Sequence, residues 1–259
     1  MNVLMQDERF LRIVEYLREK KTAKLQDIAE LNGVSVDTVR RDFEQLEAEG
    51  LLRRVRGGAV FHNADITTQK VGIRGITHRE EKKEIAALTD QFVADGQTVG
   101  LTSGTTCLEV ARFLAANYRR LTVITNNLAA VNELAEAGRF TIIVPGGVVD
   151  CNEEAVFGDT CEEDILSYNI DVAFLGVHAI SVEKGITDFR INQVSVQRAM
   201  IQSAKKRIIV ADHSKFDQVA YVNTCGLDEV DAIISDSGLS HEVYHKFRNC
   251  DVDIVIPQP

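Results

Sequence analysis

The stretch VSVDTVRRDFEQLEAEGLLRRVRGGA, residues 34–59, predicts a helix followed by a basic hairpin. Ser35 can cap the start of this helix, because its hydroxyl can accept a hydrogen bond from a nearby backbone N–H. Gly50 can end the helix in the left-handed conformation. The apolar residues between them recur at helical spacing and are Val36, Val39, Phe43 and Leu46. One face is therefore expected to pack on a core, and the polar face is left for a partner.

The flanking residues complete a winged helix-turn-helix pattern. Residues 25–31 have the apolar spacing of a short helix that ends at Asn32-Gly33. After the second helix, LLRRVRGGAVF alternates towards Gly57-Gly58 and predicts a hairpin, the wing. In such motifs the second helix lies in the DNA major groove, and cations of the wing contact phosphate.

The predicted DNA-contacting residues divide into two groups. Thr38, Arg40, Arg41 and Gln45 are expected to read the operator, with Ser35 and Asp37 beside them, and Arg53, Arg54 and Arg56 are expected to hold the DNA backbone. An isolated arginine pair is more often a solvated face, and a Gly-Gly pair is often only a turn. Here a helix, a turn, a capped helix and a basic wing follow one another in that order, which favours DNA binding.

Composition and cysteine content set limits on the class of protein. The chain has 259 residues, 45% hydrophobic and 26% charged, as in ordinary globular proteins. It has no run near the roughly 20 apolar residues of a membrane span and no apolar signal-peptide core, so a cytoplasmic location is expected. The five cysteines show neither CxxC nor Cys/His metal spacing, so reduced thiols are expected, with no metal and no cofactor.

The net negative charge lies entirely outside residues 1–60, which contain the DNA-binding pattern. The net charge is −10, but residues 1–60 carry 11 basic and 11 acidic side chains. The rest of the chain carries 18 basic and 28 acidic side chains. Attraction to phosphate must therefore come from a local arginine face and not from bulk charge.

The remainder of the chain alternates predicted strands with helices. Seven short apolar runs lie at residues 98–102, 121–125, 140–144, 171–177, 207–211, 231–235 and 252–256. This pattern predicts an α/β domain with a mainly parallel sheet, whose ligands bind at the carboxyl ends of the strands. The predicted organisation is a DNA-binding domain at residues 1–60, a linker at 61–78 and an α/β domain at 79–259.

Polar residues and glycines follow several of these strands. Ser103-Gly104-Thr105-Thr106 opens a helix, whose N-terminus favours an anion. Each such group alone is more often a turn or a helix cap. Their recurrence at successive strand ends favours a binding site for a phosphorylated small molecule. The predicted effector-binding residues are Thr102, Ser103, Gly104, Thr105, Thr106, Asn126, Gly146, Gly147, Gly176, His178, Asp212 and Lys215.

The N-terminal pattern closely resembles the start of the DeoR family of bacterial transcriptional repressors. The matching residues are Arg9, Ile13, Leu17, Val34-Ser35, Thr38-Val39-Arg40-Arg41-Asp42, Leu46-Glu47, Gly50-Leu51-Leu52, Arg53, Gly57-Gly58 and Ala59. Arg56 departs from the family pattern, which usually has His there, and adds charge to the wing.

Residues 61–257 are similar to the DeoR sensor domain. The resemblance implies a fold like that of ribose-5-phosphate isomerase and a response to a phosphorylated sugar or related metabolite. It adds Arg74 and Lys82 to the matching residues. Thr102 and Gln193 depart from it, because the family usually has Asp and Glu at these positions. The implied protein is a repressor of a carbohydrate-metabolism operon that forms a dimer or tetramer and binds double-stranded operator DNA.

Two alternatives remain open beside this interpretation. One is a sugar-phosphate isomerase with a DNA-binding appendage, but Thr102 and Gln193 lack the carboxylate that proton transfer needs. Asp212, Asp188 or His178 could substitute as the base, although each is more simply a strand-end cap, a turn residue or a core histidine. The other alternative is a DNA-binding protein without a ligand, which no small phosphate would stabilise. We therefore predict a regulator and not an enzyme.

Overall fold

The computed structural model describes residues 6–48, 51–61, 74–75, 77–250 and 252–257. The chain divides into two structural units, Met1–Thr77 and His78–Pro259. Gly50, which is predicted to end the second helix of the motif, lies outside the described residues, as does most of the predicted linker.

The first unit contains three helices and a small antiparallel sheet. Its elements are α1 (Gln6–Lys20), β1 (Thr22–Lys24), α2 (Leu25–Asn32), α3 (Val36–Ala48), β2 (Leu52–Val55) and β3 (Gly58–Phe61). The strand order is β1-β3-β2, with both pairs antiparallel. The order of helix, turn, helix and hairpin confirms the predicted winged helix-turn-helix.

Local sequence signals set the boundary between α2 and α3. Gly33 adopts φ 63° and donates its N–H to the carbonyls of Ala29 and Glu30, which ends α2. The Ser35 hydroxyl accepts from the N–H of Thr38 at 3.1 Å, so the predicted cap of α3 is confirmed.

The apolar stripe of α3 forms the centre of the first core. Val39, Phe43 and Leu46 are buried and pack with Ile13 and Leu17 of α1. Val36, also predicted in the stripe, is half-buried at the edge of this core. The opposite face of α3 is thereby held towards solvent.

The two glycines of the wing have different roles. Val55 pairs with Gly58, so the turn consists of Arg56 and Gly57, and Gly57 has φ 84°. Gly58 lies inside β3, where a Cβ atom would stand 2.1 Å from the carbonyl oxygen of Ala23. The predicted hairpin is confirmed, but its turn lies one residue earlier than the Gly57-Gly58 pair.

The second unit begins with three helices and three strands that alternate along the chain. These are α4 (Arg79–Leu88), β4 (Thr98–Leu101), α5 (Thr105–Asn117), β5 (Thr122–Thr125), α6 (Leu128–Ala137) and β6 (Thr141–Ile143). A hairpin and a further helix follow, namely β7 (Val148–Asp150), β8 (Ala155–Phe157) and α7 (Asp159–Leu166).

The rest of the second unit contains the other four strands of the central sheet, three strands of a smaller sheet and the last two helices named here. Its elements are β9 (Ile170–Gly176), β10 (Ala179–Ser181), β11 (Gly185–Asp188), α8 (Ile191–Ser203), β12 (Ala204–Val210), β13 (Val222–Cys225), β14 (Ala232–Ile234), α9 (His241–Arg248) and β15 (Asp253–Val255). A short 3-10 turn, His213–Lys215, follows β12.

Seven strands form the central sheet in the order β15-β14-β12-β9-β4-β5-β6. Every neighbouring pair is parallel, and all seven predicted strands lie in this sheet. The predicted α/β fold is therefore confirmed. Chain order reverses between β4 and β9, and ligands of open α/β sheets bind at the carboxyl ends of strands at such a switch point.

Helices cover both faces of the sheet, as buried parallel strands require. One core packs α4, α5 and α6 on the sheet, and the other packs α7, α8 and α9. The β7-β8 hairpin and the antiparallel sheet β10-β11-β13 are absent from the sequence prediction, because their strands show no clear alternation and do not recur between helical stretches as the sheet strands do. Among the described residues, none of the helices is both long enough and apolar enough to cross a membrane.

Candidate functional site

The polar face of α3 presents the predicted base-reading side chains. Arg40, Arg41 and Gln45 are exposed, and Thr38 is half-buried. Arg40 pairs with Asp37 at 2.7 Å, one turn earlier on the same face. Among the described residues, no acidic side chain pairs with Arg41, so its guanidinium is the least engaged cation of this face.

Asp42 follows these arginines but points into the first core. Its carboxylate receives two hydrogen bonds of 2.9 Å from Nε and Nη2 of Arg9 on α1. The side chains are only 11% and 3% exposed, and the hydrogen bond to Asp42 raises the pKa of Arg9 despite burial. This pair ties α1 to α3. Its sequence signal is the position of Asp42 beside Phe43, on the buried side of the helix.

The wing arginines are exposed but differ in their partners. Arg54 donates from Nε to Glu47 at 2.6 Å and from Nη1 to Glu44 at 2.7 Å. Its backbone N–H also donates to Glu47, so Arg54 fastens β2 to α3. Among the described residues, Arg53 and Arg56 have no ion pair. Phosphate attraction is therefore expected mainly from Arg53 and Arg56.

Substitution of Arg41 and of Arg56 by alanine should weaken DNA binding in different ways. Arg41→Ala should cost about 1–3 kcal/mol and relax sequence preference if Arg41 reads a base, as predicted. Arg56→Ala should weaken binding to all sequences alike and lower the salt slope by about one if Arg56 contacts phosphate, as predicted. Fluorescence anisotropy on operator and scrambled DNA across a salt series measures both effects.

Arg54→Ala is the matched control for the wing. Since two carboxylates already offset its charge, its removal should change the salt slope less than Arg56→Ala does. Identical behaviour of the Arg41 and Arg56 variants would contradict the proposed division between base reading and backbone contact.

At the switch point of the second unit, Thr102 joins two strands. It follows β4, is fully buried, and its Oγ1 accepts from the N–H of Gly176 on β9 at 3.0 Å. A Cβ on Gly176 would lie 3.3 Å from Sγ of Cys107 and 3.5 Å from the carbonyl oxygen of Ser103. β4 and β9 therefore pack closely at their carboxyl ends, and Thr102 and Gly176 form the base of the candidate site there.

Gln193 of α8 forms hydrogen bonds with Ser103, the residue after Thr102. The Ser103 hydroxyl donates to Oε1 of Gln193 at 2.5 Å, and Nε2 of Gln193 donates back to the Ser103 carbonyl at 3.3 Å. Both side chains are buried. Thr102 and Gln193, where the family resemblance implies carboxylates, are therefore neutral groups committed to internal hydrogen bonds.

The N-terminus of α5 follows Thr102 and Ser103 directly in the chain. Gly104 precedes the helix with φ 116°, and its carbonyl accepts from Nδ2 of Asn127 at 3.1 Å. Thr105 is buried and Thr106 is half-buried in the first turn. N–H groups of a first turn have no acceptor within their own helix and carry the positive end of its dipole. This end of α5 can therefore hold an anion such as phosphate.

Asn126, at the carboxyl end of β5, offers a buried acceptor. It is fully buried, and its Nδ2 donates to the carbonyl of Val156 at 3.0 Å. Its Oδ1 has no hydrogen-bond partner among the described residues. Buried polar atoms are normally bonded, so a ligand hydroxyl can supply the missing donor.

A charged cluster follows β12. Asp212 is buried and accepts from the N–H and hydroxyl of Ser214. Burial alone would raise the pKa of Asp212, but Lys215 and the Ser214 hydrogen bond hold it below its ordinary value. His78 and the buried Lys82 act in the same direction. Asp212 is thus a carboxylate set among cationic side chains.

The remaining predicted residues, Gly146, Gly147 and His178, make contacts outside this cluster. Gly146 donates its N–H to Asp164 at 2.7 Å, and a Cβ on Gly147 would lie 2.4 Å from the carbonyl of Phe157, so both shape the loop after β6. β6 and β12 are four strand spacings apart, roughly 19 Å, beyond the span of one small sugar phosphate. His178 stacks edge to face on Phe189 at 4.6 Å.

Sequence reasoning missed an ionic network near β9. Arg190 binds Asp188 through Nε at 2.9 Å and through Nη2 at 2.8 Å, and it binds Glu153 at 2.9 Å. Burial opposes ionisation of Asp188, but Arg190 holds its pKa below the ordinary value. Asp188 and Arg190 are two residues apart, but Glu153 comes from a distant part of the chain, so spacing alone could not reveal the network.

Two family models match the chain. The DeoR-like helix-turn-helix domain matches residues 9–65, and the DeoR C terminal sensor domain matches residues 77–237. The chain belongs to the DeoR family. It is accordingly a DNA-binding transcriptional regulator, as the winged helix predicts.

Several bacterial repressors are similar along most of the chain. Transcriptional repressor AccR of Agrobacterium fabrum is 36% identical, covering 89% of this chain and 90% of its own length. The repressor GlcR of Bacillus subtilis is 34% identical, with coverages of 90% and 89%. The glycerol-3-phosphate regulon repressor of Escherichia coli is 30% identical, with coverages of 90% and 92%.

Solved structures match more distantly. Ribose 5-phosphate isomerase from Plasmodium falciparum matches with a TM-score of 0.38 and 18% identity, over 56% of this chain and 53% of that one. The structure of eIF2B beta from Chaetomium thermophilum matches with a TM-score of 0.46 and 15% identity, over 87% of this chain and 65% of that one.

Proposed function

We propose that this DeoR-family regulator represses a carbohydrate-metabolism operon and releases its operator when a phosphorylated sugar or related metabolite binds the sensor domain. The observation that carries the proposal is the carboxyl edge of the sheet at the β4–β9 switch point. There the N-terminus of α5 follows β4, the buried acceptor of Asn126 follows β5, and the Asp212–Lys215 cluster follows β12, all at the same edge of the sheet. The name of the glycerol-3-phosphate regulon repressor supports the same class of metabolite.

Each part of this edge suits a different part of a sugar phosphate. The first turn of α5 supplies donors for phosphate oxygens, and Lys215 supplies a positive charge. Asn126 and Asp212 are acceptors for sugar hydroxyls. Gly146 and Gly147 hold the loop after β6 and have no direct role in this proposal.

The sensor domain in this proposal binds its ligand without chemistry. Thr102 and Gln193 are neutral and already hydrogen-bonded to Gly176 and Ser103. Asp188, a possible replacement base, is fully buried and held as a carboxylate by Arg190. Such a group has no access to a substrate proton and little affinity for it, which argues against the isomerase alternative.

The regulation that we propose is a shift between conformers. A ligand changes DNA affinity only if it binds the two conformers differently, and the coupling must be reciprocal. We further propose that the chain acts in the cytoplasm as a dimer or tetramer. Its half-sites should then lie about one helical turn or a multiple apart.

The decisive experiment measures binding of the full-length protein to fluorescent DNA from its own upstream region. The titration is repeated with pooled sugar phosphates and across a salt series, because affinity depends on salt. We expect a phosphorylated compound to release the DNA, and operator DNA to weaken binding of that compound by the same factor. Specific binding that no phosphate alters would favour the ligand-independent alternative, and unequal factors would contradict the conformer mechanism.

A further inference from the structure

Two histidines and a glutamate of the second unit meet beside the carboxyl end of β12. His78 directly precedes α4, Glu81 lies in the first turn of that helix, and His213 begins the turn after β12. One ligand atom from each lies within 4.8 Å of the others. The two imidazole rings meet edge to face, with centroids 5.2 Å apart.

A buried carboxylate orients one of these histidines. Nδ1 of His213 lies 2.7 Å from Oδ1 of Asp236, and the His213 backbone N–H donates to Oδ2 at 2.7 Å. Asp236 is fully buried and also accepts from the N–H of Gly238 at 2.8 Å. A carboxylate at Nδ1 makes that nitrogen the donor and leaves Nε2 of a neutral ring with the lone pair that a metal requires.

The three side chains remain accessible to an ion from solvent. His213 is 32% exposed, Glu81 is 33% exposed and His78 is 15% exposed. Glu81 and Asp236 bring two negative charges, with Asp212 close to His78. Lys82 and Lys215 oppose a cation here, so the carboxylates must outweigh them.

We propose that His78, Glu81 and His213 bind a divalent transition metal ion of the zinc class, with Asp236 as the positioning residue. Two imidazoles and one carboxylate form a donor set that zinc accepts, with a fourth position open to water or a ligand oxygen. Magnesium and calcium prefer all-oxygen sites, so they fit this set poorly. The proposed metal ligands are different residues from the predicted effector ligands Asp212 and Lys215, so the proposal can be tested without an effector.

The competing explanation is a pair of simple ionic contacts. His78 lies 3.2 Å from Glu81, and a protonated imidazole in each of the two histidine–carboxylate pairs would account for the geometry. This explanation predicts that metal ions neither bind these residues nor change their behaviour.

The experiment uses the full-length protein after removal of metal with a chelator. It is titrated with Co²⁺, and the visible d–d absorption and the metal content per chain are measured. We expect one cobalt per chain, displaced by Zn²⁺, and loss of the absorption in His78→Ala and His213→Ala. Asp236→Asn should keep the stoichiometry and weaken affinity about 10- to 100-fold, as removal of a positioning carboxylate does.

The matched control is the double variant His241→Ala/His245→Ala. These histidines lie one turn apart on α9 with ring centroids 4.8 Å apart, so they are the competing pair for a surface-bound ion. The control should leave the cobalt absorption unchanged. Should His213→Ala fail to fold by circular dichroism, His78→Ala and Glu81→Gln decide. Equal cobalt binding by the wild type and His78→Ala, or loss of binding only in the control, would overturn the proposal.

Discussion

Asp42→Asn should lower the free energy of unfolding of the winged helix by about 3–5 kcal/mol, the range for breaking a buried ion pair. The substitution keeps the shape of the side chain but removes the charge that faces the buried guanidinium of Arg9. Desolvation of that guanidinium is then no longer offset by the Asp42 carboxylate. Because α1 and α3 are joined by this pair, the loss should affect the whole first core.

Two controls separate the buried pair from ordinary surface charge. Asp37→Asn removes an exposed ion pair with Arg40 on the same helix and should change stability by no more than about 0.5 kcal/mol. The double variant Arg9→Met/Asp42→Leu should recover most of the loss, because apolar residues can replace a buried pair.

Unfolding should be followed by urea titration of the full chain, with amide hydrogen exchange of α1 and α3. The second probe is needed because two units can unfold in separate transitions. A loss for Asp42→Asn no larger than that for Asp37→Asn would contradict the structural role of the pair.

The same comparison separates folding from recognition. Asp42→Asn should reduce operator binding only as far as it unfolds the winged helix. Arg41→Ala should reduce operator binding while the free energy of unfolding stays unchanged, because its side chain is exposed. Adjacent residues of α3 thus differ in role because they face opposite sides of the helix.

The fold could be predicted from the sequence wherever local signals decide it. Gly33 ends α2 and Ser35 caps α3 through contacts within a few residues, so the helix-turn-helix was readable. The seven strands of the central sheet could be predicted because they form short apolar runs, and inner strands such as β4, β5 and β14 are mostly buried. The short strands β10, β11 and β13 lack such runs.

The sites could be predicted only in outline. The position of polar residues at strand ends follows from the parallel topology. The hydrogen-bond partners of these residues cannot be predicted from the topology. Thr102 is hydrogen-bonded to Gly176, and Ser103 to Gln193, across long stretches of sequence. The pairing of Arg54 with Glu44 and Glu47 likewise depends on how the wing folds back on α3.

Lys215→Ala should raise the concentration of phosphorylated effector needed to release the operator roughly 10- to 150-fold. This range corresponds to about 1.5–3 kcal/mol for a hydrogen bond to a charged group. The side chain supplies positive charge next to the buried carboxylate of Asp212. Its removal takes away attraction for phosphate and leaves the negative charge of Asp212 less well offset. Operator affinity without effector should stay unchanged.

Lys206→Ala is the matched control, because Lys206 is an exposed lysine of β12 near the opposite end of that strand. It should leave the effector response as in the wild type, and Lys215→Arg should restore part of the response by restoring the charge. The measurement is release of labelled operator DNA by the phosphorylated fraction that acts on the wild type. An unchanged response in Lys215→Ala would mean that the phosphate group does not bind next to β12. The N-terminus of α5 would then have to bind the anion with Asn126 and without a lysine, and substitutions at Thr105 and Thr106 would become the decisive ones.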